Sequence, residues 1–275
     1  FVPESELENA LTVLANHGQS QRSRESEHPM ALRHPASPHL PMPAWAPTEV
    51  SGSAMSALDR WFVELVQANP QLRIRIGNPD ELASNKMGAT LALLKHRVNV
   101  PEPGVPESTD GSVVTALNEE AVAAAALANK GGLNLIVSYE AFAVKMLGLM
   151  RQEIIFARRQ KELGQPPGWI SVPLIVTSHT WENSKNEQSH QDPTIGEALL
   201  GEMSDTARVL FPVDENTASA ALRAVYASRG QVACVVVSKR DTPNHFNAAA
   251  AQSLVEHGAA HVAGDPSTAQ LQFVA

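Results

Sequence analysis

Four short runs in this chain contain almost no polar residue: LNLIVS (Leu133 to Ser138), PLIVTS (Pro173 to Ser178), ARVLFPV (Ala207 to Val213) and VACVVVS (Val232 to Ser238). A strand wetted on one face alternates apolar with polar residues, so a run that is apolar throughout has to be covered on both faces. Helical segments separate the runs. A long helix is predicted from Tyr139 to Leu163, and a crossover helix in ENTASAALRAVYASRG, Glu215 to Gly230. Buried strands alternating with helices specify an α/β fold: a mainly parallel sheet with helices on both faces. The upstream pattern agrees. SAMSALDRWFVELVQ carries Met55, Leu58, Phe62, Leu65 and Val66 at helical spacing and stops at Asn69-Pro70. LRIRI (Leu72 to Ile76) and SVVTAL (Ser112 to Leu117) read as strands, SNKMGATLALLKH as a helix after Ser84, and EEAVAAAALANKGG as a helix closed by glycine.

The flanks differ. Residues 1–54 form a proline- and histidine-rich arm with one short helix, Ser5 to Ala15. Proline fixes φ and removes a backbone donor, so HPMALRHPASPHLPMPAWAP is expected to be irregular. Met30, Leu32, Leu40, Met42 and Trp45 need cover, which suits an arm lying across a surface better than a free tether. Residues 55–245 form the α/β domain. Residues 246–275, with a further helix and strand-like runs at HVAG and LQFVA, read as the start of a C-terminal domain or a linker. The start, FVPESELENA, has neither an initiator methionine nor the basic and apolar regions of a signal peptide, so the chain reads as a piece of something longer.

Composition excludes several functions. A formal charge of −8 argues against a general nucleic-acid surface, although a site can be locally basic. No apolar run approaches the roughly 20 residues that span a bilayer. The single cysteine, Cys234, lies inside a buried run and suits a reducing, cytoplasmic setting. The histidines lack zinc-site spacing, and no G-x-S-x-G elbow marks a serine hydrolase.

Chemistry is expected beyond the strand ends, where open α/β sheets build their sites. Taken alone, each candidate there has an ordinary explanation. Glu119 and Glu120 start a helix, where carboxylates oppose the dipole. Ser84 can cap the helix after it, and Glu140 the helix after SYEAF. Tyr139 and Phe142 can be core aromatics, His179 a turn histidine and Lys239 a strand-end cation. His190, in SHQDP about ten residues after PLIVTSH, is the best general acid/base by its natural pKa.

Together, ALNEEA, SYEAF, RIGNPDELASNKMG, TSHTWENSKNEQSHQDP and VVVSKR occur in one family's order. The chain resembles the phosphoketolases, relatives of transketolase that use thiamine diphosphate, over residues 55 to 245. The match is to their pyrimidine-binding domain, of the thiamine-diphosphate-binding fold. The resemblance implies that Glu119, where the family has Leu-Ser-Glu and this chain Leu117-Asn118-Glu119, hydrogen-bonds the aminopyrimidine ring and favours its imino tautomer. It implies that Tyr139 and Phe142 pack on that ring, that Ser84, Lys86, Asn186 and Lys239 contact substrate or its phosphate, and that His190 moves protons. Lys185 stands where the family carries a histidine; it keeps a charge for phosphate but is no neutral acceptor. The implied reaction cleaves xylulose 5-phosphate or fructose 6-phosphate with inorganic phosphate, giving acetyl phosphate and an aldose phosphate. Lys185 leaves open a divergent thiamine-dependent enzyme of transketolase or epimerase type, and a non-catalytic scaffold is the third alternative. The Gly-Asp-Gly signature of the domain that holds the diphosphate through magnesium does not occur in the sequence. That domain is therefore expected on another segment or chain, in a cytoplasmic homodimer or higher oligomer, and this chain alone is expected to be inactive.

Overall fold

The computed structural model describes residues 2–19, 37–165, 167–177, 180, 189–202, 205–261, 264, 265, 267, 268 and 270. The strand-like runs expected at HVAG and LQFVA lie largely or wholly outside them, as do Met30 and Leu32. The chain divides into two units, Phe1–His34 and Pro35–Ala275. The first holds α1 (Glu4–Gln19), which is longer at both ends than the helix expected from the sequence.

In the second unit, α2 (Ala54–Gln67) leads to β2 (Ile74–Gly77), α3 (Gly88–Leu94), β3 (His96–Arg97), β4 (Glu107–Ser108) and β5 (Val113–Val114). There follow α4 (Glu119–Leu127), β6 (Leu133–Tyr139), α5 (Glu140–Ala143), α6 (Leu147–Glu162), β7 (Val172–Thr177), α7 (Thr194–Leu200), β8 (Ala207–Leu210), α8 (Glu215–Ala227) and β9 (Val232–Val236). Among the described residues these strands form one eight-stranded sheet in the order β4-β3-β5-β2-β6-β7-β9-β8, and every pairing in it is parallel. A separate antiparallel ribbon joins β1 (Ser51–Ser53) to β10 (Asp241–Pro243), and α9 (Ala248–His257) follows.

Successive residues of the central strands point to opposite faces, and both faces are buried. Leu135 and Val137 of β6, Ile175 of β7 and Val235 of β9 pack with Met55, Leu58 and Phe62 of α2 and Leu222 and Tyr226 of α8. Ile136, Leu174, Val176 and Cys234 pack on the other face with Val122 and Ala126 of α4, Met150 and Ile154 of α6, and Ile195 and Leu199 of α7. This two-sided cover is why the β6, β7 and β9 runs lack polar residues; ARVLFPV departs from that expectation, because β8 lies at the sheet edge, is mostly half-buried and ends at Leu210, with Phe211 and Val213 about half exposed. Tyr226, fully buried, donates its hydroxyl to the Asn134 carbonyl at 2.7 Å, and burial pushes its pKa well up.

The proline-rich segment from residue 37 to 47 has no regular structure and is tied to α2 and α8 by side chains. Trp61 Nε1 donates to the Pro41 carbonyl at 3.1 Å, and Asn216 accepts from Ala46 N and donates to Ala46 O. Leu40 packs on the core, while Met42 stays exposed.

Two further elements, a helix and a strand, depart from the sequence expectation. The helix expected from Tyr139 to Leu163 is interrupted by a 3-10 turn, Val144–Met146, between α5 and α6. The tighter turn falls where Ala143 and Met146 are both fully buried, a tertiary demand that periodicity does not report. SVVTAL pairs only at Val113–Val114, and Leu117 is 99% exposed, so α4 starts from a short loop rather than a strand end.

Candidate functional site

Parallel strands bring their carboxyl ends to one side of the sheet, and the sequence places polar loops after β2, β5, β6, β7 and β9. The loop after β2 is fixed from within. Asn78, fully buried, donates to the Val137 carbonyl at 2.9 Å, and Thr177 at the end of β7 donates to buried Asn85. These anchors hold the 3-10 turn Ala83–Asn85, and with it Ser84, over the end of β6. Ser84 Oγ lies 2.8 Å from the Tyr139 hydroxyl. The capping role expected for Ser84 is not observed: α3 begins at Gly88 after Met87, and Ser84 donates to the Glu81 carbonyl instead.

Tyr139 ends β6 and is the hub of an aromatic group. Its ring meets Phe142 edge-on at 5.8 Å between centroids and His190 edge-on at 4.8 Å, and Phe142 and His190 are 5.0 Å apart. Lys239 Nζ sits 4.8 Å from the Tyr139 ring centroid. Lys86 pairs at 3.4 Å with Asp241, the first residue of β10. Four residues expected from sequence (Ser84, Phe142, His190 and Lys239) are thus gathered around a fifth, Tyr139. His179, Lys185 and Asn186 lie outside the described residues.

Glu119 is the first residue of α4, whose N-terminus is capped by Asn118, with Ala121 N donating to its Oδ1 at 2.9 Å. Asparagine is among the best capping residues, which accounts for its presence before the glutamate. The Glu119 side chain is 13% exposed and is joined to the aromatic group through Lys145, whose Nζ lies 2.9 Å from Glu119 Oε1 and 5.6 Å from the Phe142 ring centroid. Glu120 is exposed. The placement of α4 depends on Gly77, because a Cβ there would fall 2.3 Å from the Val122 carbonyl oxygen.

Three charged residues in this region were not singled out as site residues from the sequence. Asp80, after β2, accepts from Ser138 Oγ at 2.9 Å and Tyr139 N at 3.4 Å. Burial raises its pKa, the two hydrogen bonds oppose that, and nearby Glu119 raises it further while His190 lowers it. Glu140 is no helix cap, contrary to expectation. It is 3% exposed, and its Oε2 accepts from Thr180 N at 2.8 Å, Thr180 Oγ1 at 2.9 Å and Asp192 N at 3.0 Å. Ala141 N also donates to the His190 carbonyl, so the start of α5 fixes the backbone that carries His190. Lys145 is the third. A carboxylate just past a parallel strand was the available signal for Asp80; Glu140 and Lys145 gain their partners only through tertiary structure.

Residues 56–228, well over half of the chain, match the family described as D-xylulose 5-phosphate/D-fructose 6-phosphate phosphoketolase. The chain belongs to the phosphoketolase family. Among curated relatives, a "Probable phosphoketolase" of Bradyrhizobium diazoefficiens is 30% identical over 62% of this chain and 22% of its own length. One of Lactococcus lactis is 26% identical over 76% of this chain and 26% of its own length. The chain therefore spans about a quarter of the phosphoketolases it matches. Its fold is shared with transketolases of Pichia stipitis (TM-score 0.54, 14% identity, 76% of this chain and 28% of that one) and Campylobacter jejuni (0.53, 12%, 83% and 32%). The parallel sheet with helices on both faces is the transketolase-like fold expected from the sequence.

The residues present fit one half of thiamine diphosphate. A largely shielded carboxylate, joined through Lys145 to an aromatic pair, suits an aminopyrimidine, a flat ring that exchanges hydrogen bonds at its edge. Magnesium is different: no group of three or more His, Cys, Asp or Glu among the described residues could hold a metal ion. No helix among them is long and apolar enough to cross a membrane.

Proposed function

We propose that this chain forms the pyrimidine-binding part of a phosphoketolase that cleaves xylulose 5-phosphate or fructose 6-phosphate with inorganic phosphate, yielding acetyl phosphate and an aldose phosphate. The observation that carries this is the convergence of Glu119, Tyr139, Phe142, His190, Ser84 and Lys239 at the carboxyl ends of the sheet, in a chain of this family. When bound, thiamine diphosphate supplies the nucleophilic carbon for attack on the ketose carbonyl. The chain's residues do the rest of the work on this side. Glu119 shares a proton with the edge of the aminopyrimidine, in surroundings dry enough to strengthen the hydrogen bond. Tyr139 and Phe142 offer it flat apolar surface. Ser84, Lys86 and Lys239, with Lys185 and Asn186, bind substrate phosphate. His190, held by Ala141 and with Ser189 Oγ 2.7 Å from its Nδ1, moves protons at the substrate. The diphosphate and its magnesium are held by a domain on another segment or chain, in a cytoplasmic homodimer or larger assembly. This chain by itself is inactive.

Lys185, in place of the family's histidine, favours a second reading, a transketolase- or epimerase-type ketose-phosphate enzyme. The test is acetyl phosphate formation, trapped as hydroxamate, by the full-length protein given ketose phosphate, phosphate, magnesium and thiamine diphosphate. Acetyl phosphate is expected, with Glu119→Gln reducing turnover by at least about 100-fold. Ketose consumption without acetyl phosphate would select the second reading, and turnover unchanged by Glu119→Gln would deny Glu119 its role and favour a scaffold.

A further inference from the structure

Lys145 stands where the proposed function puts the edge of the aminopyrimidine. Its ammonium lies 2.9 Å from Glu119 Oε1 and 5.6 Å from the Phe142 ring centroid, so a single group touches both a carboxylate and an aromatic ring assigned to the cofactor. These are the two interactions, a donor to the carboxylate and contact with an aromatic face, that a planar nitrogenous ring would make there. The two partners of the pair differ in freedom. Glu119 is 13% exposed and fixed at the start of a capped helix. Lys145 is 60% exposed on the 3-10 turn between α5 and α6, at the tip of a flexible four-carbon stem with water beside it. The carboxylate is therefore the fixed member and the ammonium the one that can leave.

We propose that Lys145 is an internal occupant of the aminopyrimidine subsite, displaced when the ring binds, and that it thereby sets the protein's affinity for the cofactor. This rests on the reading that Glu119 and Phe142 receive the ring. While the pair is closed, the Glu119 oxygen is committed to Lys145. Opening it costs little, because the ammonium end is 60% exposed and rehydrates as it leaves while the ring takes its place at the carboxylate, and the expected effect on affinity is correspondingly modest.

The experiment is a titration of the full-length protein with thiamine diphosphate at fixed magnesium, followed by calorimetry, for the wild type, Lys145→Met, Lys145→Arg and Glu119→Gln. Lys145→Met should bind about two- to fivefold more tightly, the factor an exposed ion pair is worth. Lys145→Arg should match the wild type. Raising salt should narrow the gap between the wild type and Lys145→Met, because the competing pair is screened. Glu119→Gln should bind at least about tenfold more weakly, the worth of a hydrogen bond to a charged group. If Lys145→Met binds equally or more weakly while Glu119→Gln is impaired, Lys145 positions Glu119 instead of competing for it, and the inference falls while the proposed function stands. If Glu119→Gln leaves affinity unchanged, the assignment of Glu119 falls, and the inference with it.

Discussion

Cys234 is fully buried between sheet and helices, and desolvation pushes its thiol up to about 12, with Glu140 adding to the rise. It should resist iodoacetamide at neutral pH until the protein unfolds, which mass spectrometry of native and denatured samples would check. Its folded pKa lies above the unfolded value of about 9, so its contribution to stability is complete below that pH and is lost as pH rises toward 12. Asp80 is also raised by burial, so its charged form is costly in the fold. The native state then binds more protons than the unfolded chain above pH 3.8, and stability falls as pH climbs through that window. Asp80→Asn keeps an acceptor for Ser138 and Tyr139 N and removes the charge. Thermal melts should show it at least as stable as the wild type at pH 7, with any advantage gone by about pH 4. Cys234 was read from the sequence as a buried strand residue, which it is, whereas Asp80 was not singled out. Glu119 was, but its partner Lys145 was not, because 26 residues separate them in the chain and only the fold joins them.

At the scale of elements, the central strands were the most legible part. Leu135, Ile136, Ile175 and Val176 are apolar because alternate residues face α2 and α8 on one side and α4, α6 and α7 on the other. The helix break at Val144–Met146 was hidden, since both halves keep a helical apolar pattern while the turn answers to buried Ala143 and Met146. The Glu140 clamp was hidden too, because its partners Thr180 and Asp192 lie far along the chain. The seating of α4 on β2 is the element-level feature that most directly positions the site. Gly77→Ala would press a methyl group into the Val122 carbonyl, and neither backbone can yield cheaply. Urea unfolding should show a loss of about 1–3 kcal/mol, and Glu119 should shift with its helix, lowering turnover beyond what the stability loss explains. The helix α8 is secured by a capping box, Asp214 with Thr217, whose Asp214 Oδ2 also accepts from His245 N and Phe246 N. Asp214→Ala should therefore cost more than the ~1 kcal/mol of an ordinary cap in the same unfolding measurement.

On the proposed reading the Pro35–Ala275 unit carries half of a binding site on the rim of a parallel sheet, in a chain spanning about a quarter of the phosphoketolases it matches. The fold class was readable from two-sided apolar strands, whereas the family was readable only from the order of its motifs. The described residues offer aromatic rings, a carboxylate and cations for a planar ring and a sugar phosphate, and no metal cluster for a diphosphate. The central claim is that Glu119, Tyr139 and Phe142 receive the aminopyrimidine. A crystal structure of the full-length protein with thiamine diphosphate and magnesium tests it most directly. The account predicts the ring edge within hydrogen-bonding distance of the Glu119 carboxylate, against Phe142, with Lys145 turned away into solvent. A ring bound elsewhere, with Glu119 still joined to Lys145, would contradict it.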